Sequence, residues 1–300
     1  MYRRLYKMYK LSLYQKVSVV LFLFYFGACL RGPIPSRQTP VSYQFPKSKT
    51  LPPHTSIKII DTGTHLLLSG IKSDQGTNSF LWDTGSELSF YESGGTEESS
   101  TFALGGQSFT LKNMKGILPK SMPGLLGIDF FSENCIFWLG EELKRFPKDS
   151  PFCEHPDAYL STDFKFLNTK KKGKNLYLEF EYPEGRRSFA EIDTGASLNL
   201  LPEGPNDLFL GEKKVFLAGN RIKTANHMES ASPFYLVTIS GIREEYKQVQ
   251  YLTGISLENF LLPGDKDREE VWVIGLDILR TRPLFWDFTR GRVGIVHSKN

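Results

Sequence analysis

The tripeptide Asp-Thr-Gly occurs three times in this chain, at Asp61, Asp83 and Asp193, in the contexts IDTG (60–63), WDTG (82–85) and IDTG (192–195). Two carboxyl groups in contact cannot both ionise cheaply, so a close pair holds one proton between them. Such a pair offers a general base and a general acid side by side. A single aspartate offers only one of the two. The chemistry therefore depends on which two of the three copies meet, and that is decided by the elements that carry them.

Residues 65–90 and 175–200 are two versions of one pattern. Asp83 and Asp193 are 110 residues apart, as are Leu66 and Leu176, Leu68 and Leu178, and Leu88 and Leu198. Each stretch reads as an apolar strand, a polar turn containing glycine, and a second strand that runs into Asp-Thr-Gly. At the same offset Asp61 falls opposite Lys171. It lies before the first strand of its repeat, where a following glycine supplies positive φ and an aspartate closes a turn locally. Asp61 is therefore expected to be a hairpin residue, and its Asp-Thr-Gly a decoy.

A second block repeats in the same order. GLLGIDFFSENCIFWLG (124–140) parallels WVIGLDILRTRPLFWDF (272–288). Gly127 and Gly275 are each followed two residues later by an acid, Asp129 and Asp277, and eleven residues later by Trp138 and Trp286, each preceded by Phe. Buried apolar strands explain either block alone, but not the shared order and spacing, so the body is read as a duplication. Between the blocks the halves differ: 42 residues separate Gly85 from Gly127, and 80 separate Gly195 from Gly275. A turn looks shared at Gly106 and Gly241, and the larger insertion lies before it. That insertion, GEKKVFLAGNRIKTANHMES (211–230), predicts a hairpin turning near Gly219-Asn220. Short apolar runs punctuated by Gly, Pro, Asn and Asp predict a mostly-β body with no long helix.

An apolar strand entering Asp-Thr-Gly-Ser or Asp-Thr-Gly-Ala, followed by an apolar-apolar-Gly element, resembles the aspartic proteases of the pepsin and retropepsin kind. GLLGIDFF and VIGLDIL are similar to the retropepsin form, and the resemblance covers most of residues 55–298. It implies a mostly-β, bilobal aspartic-protease fold, with two homologous β lobes and the active site between them. The lobes would span 55–146 and 161–300, joined by a connector at 147–160. The implied activity is that of an aspartic endopeptidase, a hydrolase that needs no cofactor and no metal. Asp83 and Asp193 would activate a water against a peptide bond.

In that family-derived reading Thr84 and Thr194 hydrogen-bond across to the opposite lobe, and Gly85 and Gly195 let the backbone approach the carboxylates. Ser86 either hydrogen-bonds Asp83 or is an ordinary loop hydroxyl, and Ala196 takes its place in the second copy. Asp129 and Asp277 read as structural, closing a turn or pairing with an arginine such as Arg280. Trp138 and Trp286 read as core aromatics. Family members cover the cleft with a flap hairpin, yet the first half is too short for one, and only 211–230 leaves room. The substrate would be a polypeptide with apolar residues at the cleft. The alternative is a binding module on the cell envelope that keeps the fold with little or no hydrolysis. Both lobes lie in one chain, so a monomer is expected.

Composition and the chain start bound the setting. The net charge is +4 at pH 7, but Arg3, Arg4, Lys7, Lys10 and Lys16 lie in a start segment without acids, so the body carries +4 − 5 = −1. Bulk charge thus gives no reason to expect nucleic-acid binding. Residues 1–28 read as a signal peptide, a basic stretch followed by a short apolar one. Its end, Phe26-Gly27-Ala28-Cys29, resembles a bacterial lipobox, with Cys29 as the lipidated residue and Phe26 as the departure from pattern. A plain secretory signal or an uncleaved anchor remains the other reading. Each places the body outside the cytoplasm; the lipobox reading gives a lipid anchor in a bacterial membrane, facing periplasm or cell surface. Residues 29–54, with Pro33, Pro35, Pro40, Pro46, Pro52 and Pro53, read as a tether or a pro-segment. Cys135 and Cys153 remain, either as one disulfide or as two free thiols, and without neighbouring histidines they make a poor metal site.

Overall fold

The computed structural model describes residues 50–118, 121–160, 163–172, 174–181, 187–197, 199–202, 214–217, 222–223, 229–230, 234–239, 249–255, 271–280 and 283–296. The amino-terminal segment, with Cys29 and the proline-rich stretch as far as residue 49, lies outside them. The chain is mostly β. Its first half contains β1 (Thr55–Asp61), β2 (Leu66–Ser73), β3 (Gly76–Trp82), β4 (Phe90–Tyr91), β5 (Ser99–Leu104), β6 (Gln107–Asn113), β7 (Gly124–Leu126), the one-turn helix α1 (Ile128–Phe131), β8 (Asn134–Leu139) and β9 (Glu142–Pro147). The short helix α2 (Pro151–Glu154) follows, then β10 (Phe164–Phe166), β11 (Thr169–Lys172), β12 (Asn175–Glu181), β13 (Arg187–Ile192), β14 (Asn199–Pro202) and β15 (Lys214–Leu217). The second half continues with β16 (Ile222–Lys223), β17 (Glu229–Ser230), β18 (Phe234–Ile239), β19 (Val249–Ile255), β20 (Val271–Ile274), helix α3 (Leu276–Leu279), β21 (Leu284–Asp287) and β22 (Arg292–Val296).

The repeat in the sequence is a repeat in pairing. In the first half β3 runs parallel to β7, β7 antiparallel to β4, and β4 parallel to β6. In the second, β13 runs parallel to β20, β20 antiparallel to β14, and β14 parallel to β19. Each half thus places its apolar-Gly strand between the strand that enters Asp-Thr-Gly and the strand that leaves it. Two parallel neighbours cannot be joined by a tight turn, so the chain must travel away and return, and the loop carrying the aspartate is left at the strand end.

The two halves are stitched by a shared sheet, in the order β10-β22-β21-β8-β9-β1. At its centre β8 pairs antiparallel with β21, and Phe137 lies directly opposite Phe285. These residues are equivalents under the second repeat, 148 positions apart like Gly127 and Gly275. A strand that pairs antiparallel with its own repeat puts a pseudo-twofold axis through that residue pair. Alternation along β8 and β21 sorts the side chains. Ile136, Trp138, Leu284 and Trp286 enter the main core, while Phe137 and Phe285 join a second cluster with Phe146, Phe152 and Phe164. Trp82 stands edge-on to both Trp138 and Trp286, with centroids 5.4 and 6.0 Å away. The two tryptophans are core aromatics, as expected.

The connector after β9 is packed into that second cluster. Ser150 caps α2, its hydroxyl accepting from the Phe152 N–H at 3.3 Å, with Pro151 at the first helical position. Cys135 and Cys153 form a disulfide with Cα atoms 5.6 Å apart, tying the connector to β8.

One sequence expectation is corrected. Gly219-Asn220 lies outside the described residues, but β15 does not fold back onto β16. Instead Lys214–Leu217 pairs with Phe234–Ile239, Leu217 opposite Phe234, and the ladder resumes with Ile222 opposite Ser230 and Lys223 opposite Glu229. Gly-Asn suits a two-residue turn, but pairing KVFL with the apolar FYLVTI joins longer strands of matching character.

Candidate active site

Asp83 and Asp193 each follow the last residue of a strand, and each loop is held in the same way. The Asp83 N–H donates to Leu126 O at 3.1 Å and the Asp193 N–H to Ile274 O at 3.0 Å. On the far side of each loop the Ile128 N–H reaches Ser86 O at 2.8 Å and the Leu276 N–H reaches Ala196 O at 2.9 Å. The apolar-Gly elements are therefore the floor under both loops. A Cβ on Gly127 would sit 2.5 Å from Ser86 O, which is why that position has no side chain.

The threonines cross between the halves. The Thr84 N–H donates to Thr194 Oγ1 and the Thr194 N–H to Thr84 Oγ1, each at 3.0 Å. Each hydroxyl passes its own proton on, Thr84 to Ile192 O at 2.7 Å and Thr194 to Trp82 O at 2.9 Å. All four bonds are buried, and they join one loop to the other at the pseudo-twofold axis. Asp61 takes no part. It ends β1, and its Oδ1 accepts from the Gly63 N–H at 2.7 Å in a turn where Gly63 has φ 92°.

The glycines bring the carboxyls together. A Cβ on Gly85 would lie 2.6 Å from Asp193 Cγ, and one on Gly195 would lie 2.5 Å from Asp83 Cγ. Each aspartate is thus packed against the backbone of the opposite loop. Asp83 Oδ1 accepts from the Gly85 N–H at 2.9 Å and the Ser86 N–H at 3.1 Å; Asp193 Oδ1 accepts from the Gly195 N–H at 2.7 Å. Both Oδ2 atoms are buried, and apart from the proton the two aspartates share, neither receives a donor from the protein. Burial, then the charge of Asp193 and a hydrogen bond with it, hold Asp83 well above the usual carboxylate range. Burial raises Asp193 to about 6, against hydrogen bonds from Asp83 and from loop N–H groups that pull it down. The proton belongs to the pair.

The surrounding residues divide into those foreseen and those not. The Ser86 hydroxyl does not reach Asp83; it donates to Leu88 O at 2.9 Å, and only the Ser86 backbone serves the carboxylate. Ser86 is committed to holding its own turn. Ala196 is fully buried at the equivalent place. Asp129 accepts from the Ser89 hydroxyl, which accepts in turn from the Gly127 N–H at 2.9 Å, so Asp129 braces the floor through Ser89. Arg280 pairs instead with Asp61 of the other half, Nη2 to Oδ1 at 2.8 Å. The side chain of Asp277 lies outside the described residues.

Sequence reasoning passed over Glu191 and Asn175. Both are buried, and the Asn175 amide donates to Glu191 at 2.5 Å, two residues before Asp193. The signal was there: the 110-residue offset sets Glu191 against Leu81 and Asn175 against His65. Among the described residues no group of three or more His, Cys, Asp and Glu could hold a metal ion, and no helix is long and apolar enough to cross a membrane.

The two duplicated lobes, with Asp-Thr-Gly loops meeting at the axis, define a bilobal β fold of the aspartic-protease type. Among solved structures similar to the chain is an aspartic proteinase from Irpex lacteus, at 13% sequence identity and a TM-score of 0.48, the match covering 82% of this chain and 98% of that one. No family model and no curated protein matches the sequence. The functional reading therefore starts from the geometry of the two loops.

Proposed function

We propose that the protein is an aspartic endopeptidase in which Asp83 and Asp193 hydrolyse peptide bonds. The observation that carries this is the meeting of two buried carboxyls, each pressed on the opposite loop's glycine, hydrogen-bonded to each other and each keeping an Oδ2 that no other protein group serves. One proton shared by the pair leaves one carboxylate and one carboxylic acid. The carboxylate takes a proton from water as its oxygen attacks the substrate carbonyl carbon, and the acid gives its proton to the carbonyl oxygen. The resulting diol then collapses: the C–N bond breaks, the nitrogen takes up a proton, and a carboxyl and an amine product leave. The crossed threonines hold the two aspartates at fixed separation through the cycle.

The first lobe is apolar beside the strand that enters the Asp83 loop, which favours a substrate with apolar side chains. Leu81, Phe90, Leu118 and Leu125 form a buried cluster with Met114, Ile117 and Met122 packed on it. Glu92 pins the segment that carries Ile117 and Leu118, its carboxylate accepting from the N–H groups of Gly116, Ile117 and Leu118 at 2.8 to 3.1 Å. The chain acts outside the cytoplasm, attached to a bacterial membrane by lipid on Cys29, as a monomer acting on polypeptides.

The test is cleavage of a peptide library by the purified chain across pH, beside Asp83→Asn, Asp193→Asn and Asp61→Asn. Loss of cleavage by about a thousandfold or more in the first two, with the third retaining it, is the expected result. An equal background in wild type and all variants would make the chain a binding module instead. For the anchor, Cys29→Ser should release the protein from membranes.

A further inference from the structure

Among the described residues Glu191 is the buried carboxyl near the pair that the hydrolytic mechanism leaves unused. It sits two residues before Asp193 on β13, and strand alternation puts the two side chains on the same face. Asn175, at the start of β12, donates through Nδ2 to Glu191 Oε1 at 2.5 Å, while its other amide atom, Oδ1, is buried without a donor. A buried carbonyl-type oxygen with no donor is costly. A carboxylate beside it cannot supply one, since it only accepts; a carboxylic acid can.

We propose that Glu191 and Asn175 form a neutral acid–amide pair, the Glu191 O–H donating to Asn175 Oδ1, and that this pair positions Asp193 by locking β12 to β13 at the mouth of its loop. The proton satisfies the orphaned oxygen and closes a planar ring of two hydrogen bonds, tying two strands by their side chains where the backbone ladder is about to end. The charged groups around Glu191 favour this state. Asp193, just past the end of its strand, and Glu87, on the loop after Asp83, are acids that act on it, and Glu191 in turn acts on Asp83. Among the described residues no cation offsets them. Burial, then Asp193, pushes the Glu191 carboxyl up to about 8, in spite of the Asn175 hydrogen bond, which pulls it down. The first lobe reaches neutrality by other means at these positions: Leu81 is apolar, and the buried imidazole of His65, in contact with Thr64 Oγ1 at 2.9 Å, is pushed down to about 4 by burial and by Arg280.

The catalytic consequence rests on the peptidase reading, whereas the protonation state does not, so two readouts separate them. Melting temperature is measured from pH about 4 to about 9 for wild type, Glu191→Gln and Glu191→Ala, and kcat/KM is measured over the same range on a cleaved peptide. Glutamine keeps a neutral donor and acceptor, and alanine keeps neither. Wild type should lose melting temperature relative to Glu191→Gln as pH rises from about 5 toward 8, with the two curves parallel below that range. Glu191→Gln should retain at least about tenfold more kcat/KM than Glu191→Ala at acid pH. Should Glu191→Gln prove as damaging as Glu191→Ala, or its melting curve track wild type at every pH, Glu191 is not a neutral acid and the inference falls. If no peptide is cleaved by any form, the peptidase reading fails, and the melting curves alone decide the pair.

Discussion

Two residues before Asp83 the first lobe has Leu81, and two residues before Asp193 the second has Glu191. Both side chains are buried, on equivalent strands, above equivalent floors. The backbone of the two lobes is nearly a copy where it holds the aspartates: the same strand-end N–H bonds, the same crossed threonines, the same glycine against the opposite carboxyl. Away from the axis the lobes diverge. The β5–β6 hairpin of the first lobe is drawn down onto the shared sheet: a Cβ on Gly105 would meet the Thr55 methyl at 2.1 Å, and Gln107 accepts from Arg145 of β9 at 2.5 Å. Its tip is held by β1 and β9. The second lobe adds the β15–β18 arm. Duplication fixed what two aspartates require, and the parts that do not touch the axis were free to become different.

The largest test of the copied part is at the glycines. Gly85→Ala and Gly195→Ala each drive a Cβ into the opposite carboxyl, so both should cost cleavage about a hundredfold or more, by similar factors. A strongly unequal loss, read as kcat/KM, would break the symmetry. Next comes pH. Asp83, Asp193 and Glu191 all have folded-state values raised above their ordinary ones, so the unfolded chain loses protons first as pH rises. Their favourable contribution is complete below the ordinary carboxylate range and is lost as pH climbs through about 6 for Asp193 and about 8 for Glu191. Denaturant midpoints should therefore be highest at acid pH and fall toward pH about 8. An Asp83→Asn, Asp193→Asn, Glu191→Gln triple variant should flatten the curve.

Reducing the Cys135–Cys153 disulfide should lower stability by about 3 kcal/mol, seen as a shifted melting midpoint, since it closes a loop of 18 residues. Thr84→Val and Thr194→Val should each cost roughly 1–3 kcal/mol, because each leaves the partner threonine's buried N–H without an acceptor. Combined, they should cost less than the sum, as a double-mutant cycle would report. The smallest effect belongs to the ion pair between halves: Asp61→Asn should change stability by about 1 kcal/mol or less, because that pair is partly exposed.

Much of this was legible from spacing. The offset of 110 separated Asp61 from its two namesakes, and the structure places Asp61 in a β1–β2 turn. The offset of 148 made Phe137 and Phe285 equivalents, although it did not show that they lie opposite each other. Ser86 was harder, because a hydroxyl next to an aspartate has several acceptors within reach, and only the folded turn selects Leu88 O. Nothing in the spacing joins Arg280 to Asp61, its partner from 219 residues away.

The sequence by itself determined which residues repeat, and hence that the chain is two β lobes with one Asp-Thr-Gly loop each. Strand periodicity and turn chemistry are local properties, and a duplicated pattern of them is visible without coordinates. Only the tertiary structure decided the proton economy of the site. Whether Asp83, Asp193 and Glu191 are charged depends on burial and on neighbours from both halves, Gly195 against Asp83, Asn175 against Glu191. Those neighbours are set by packing across the axis, where residues distant in sequence exclude water together.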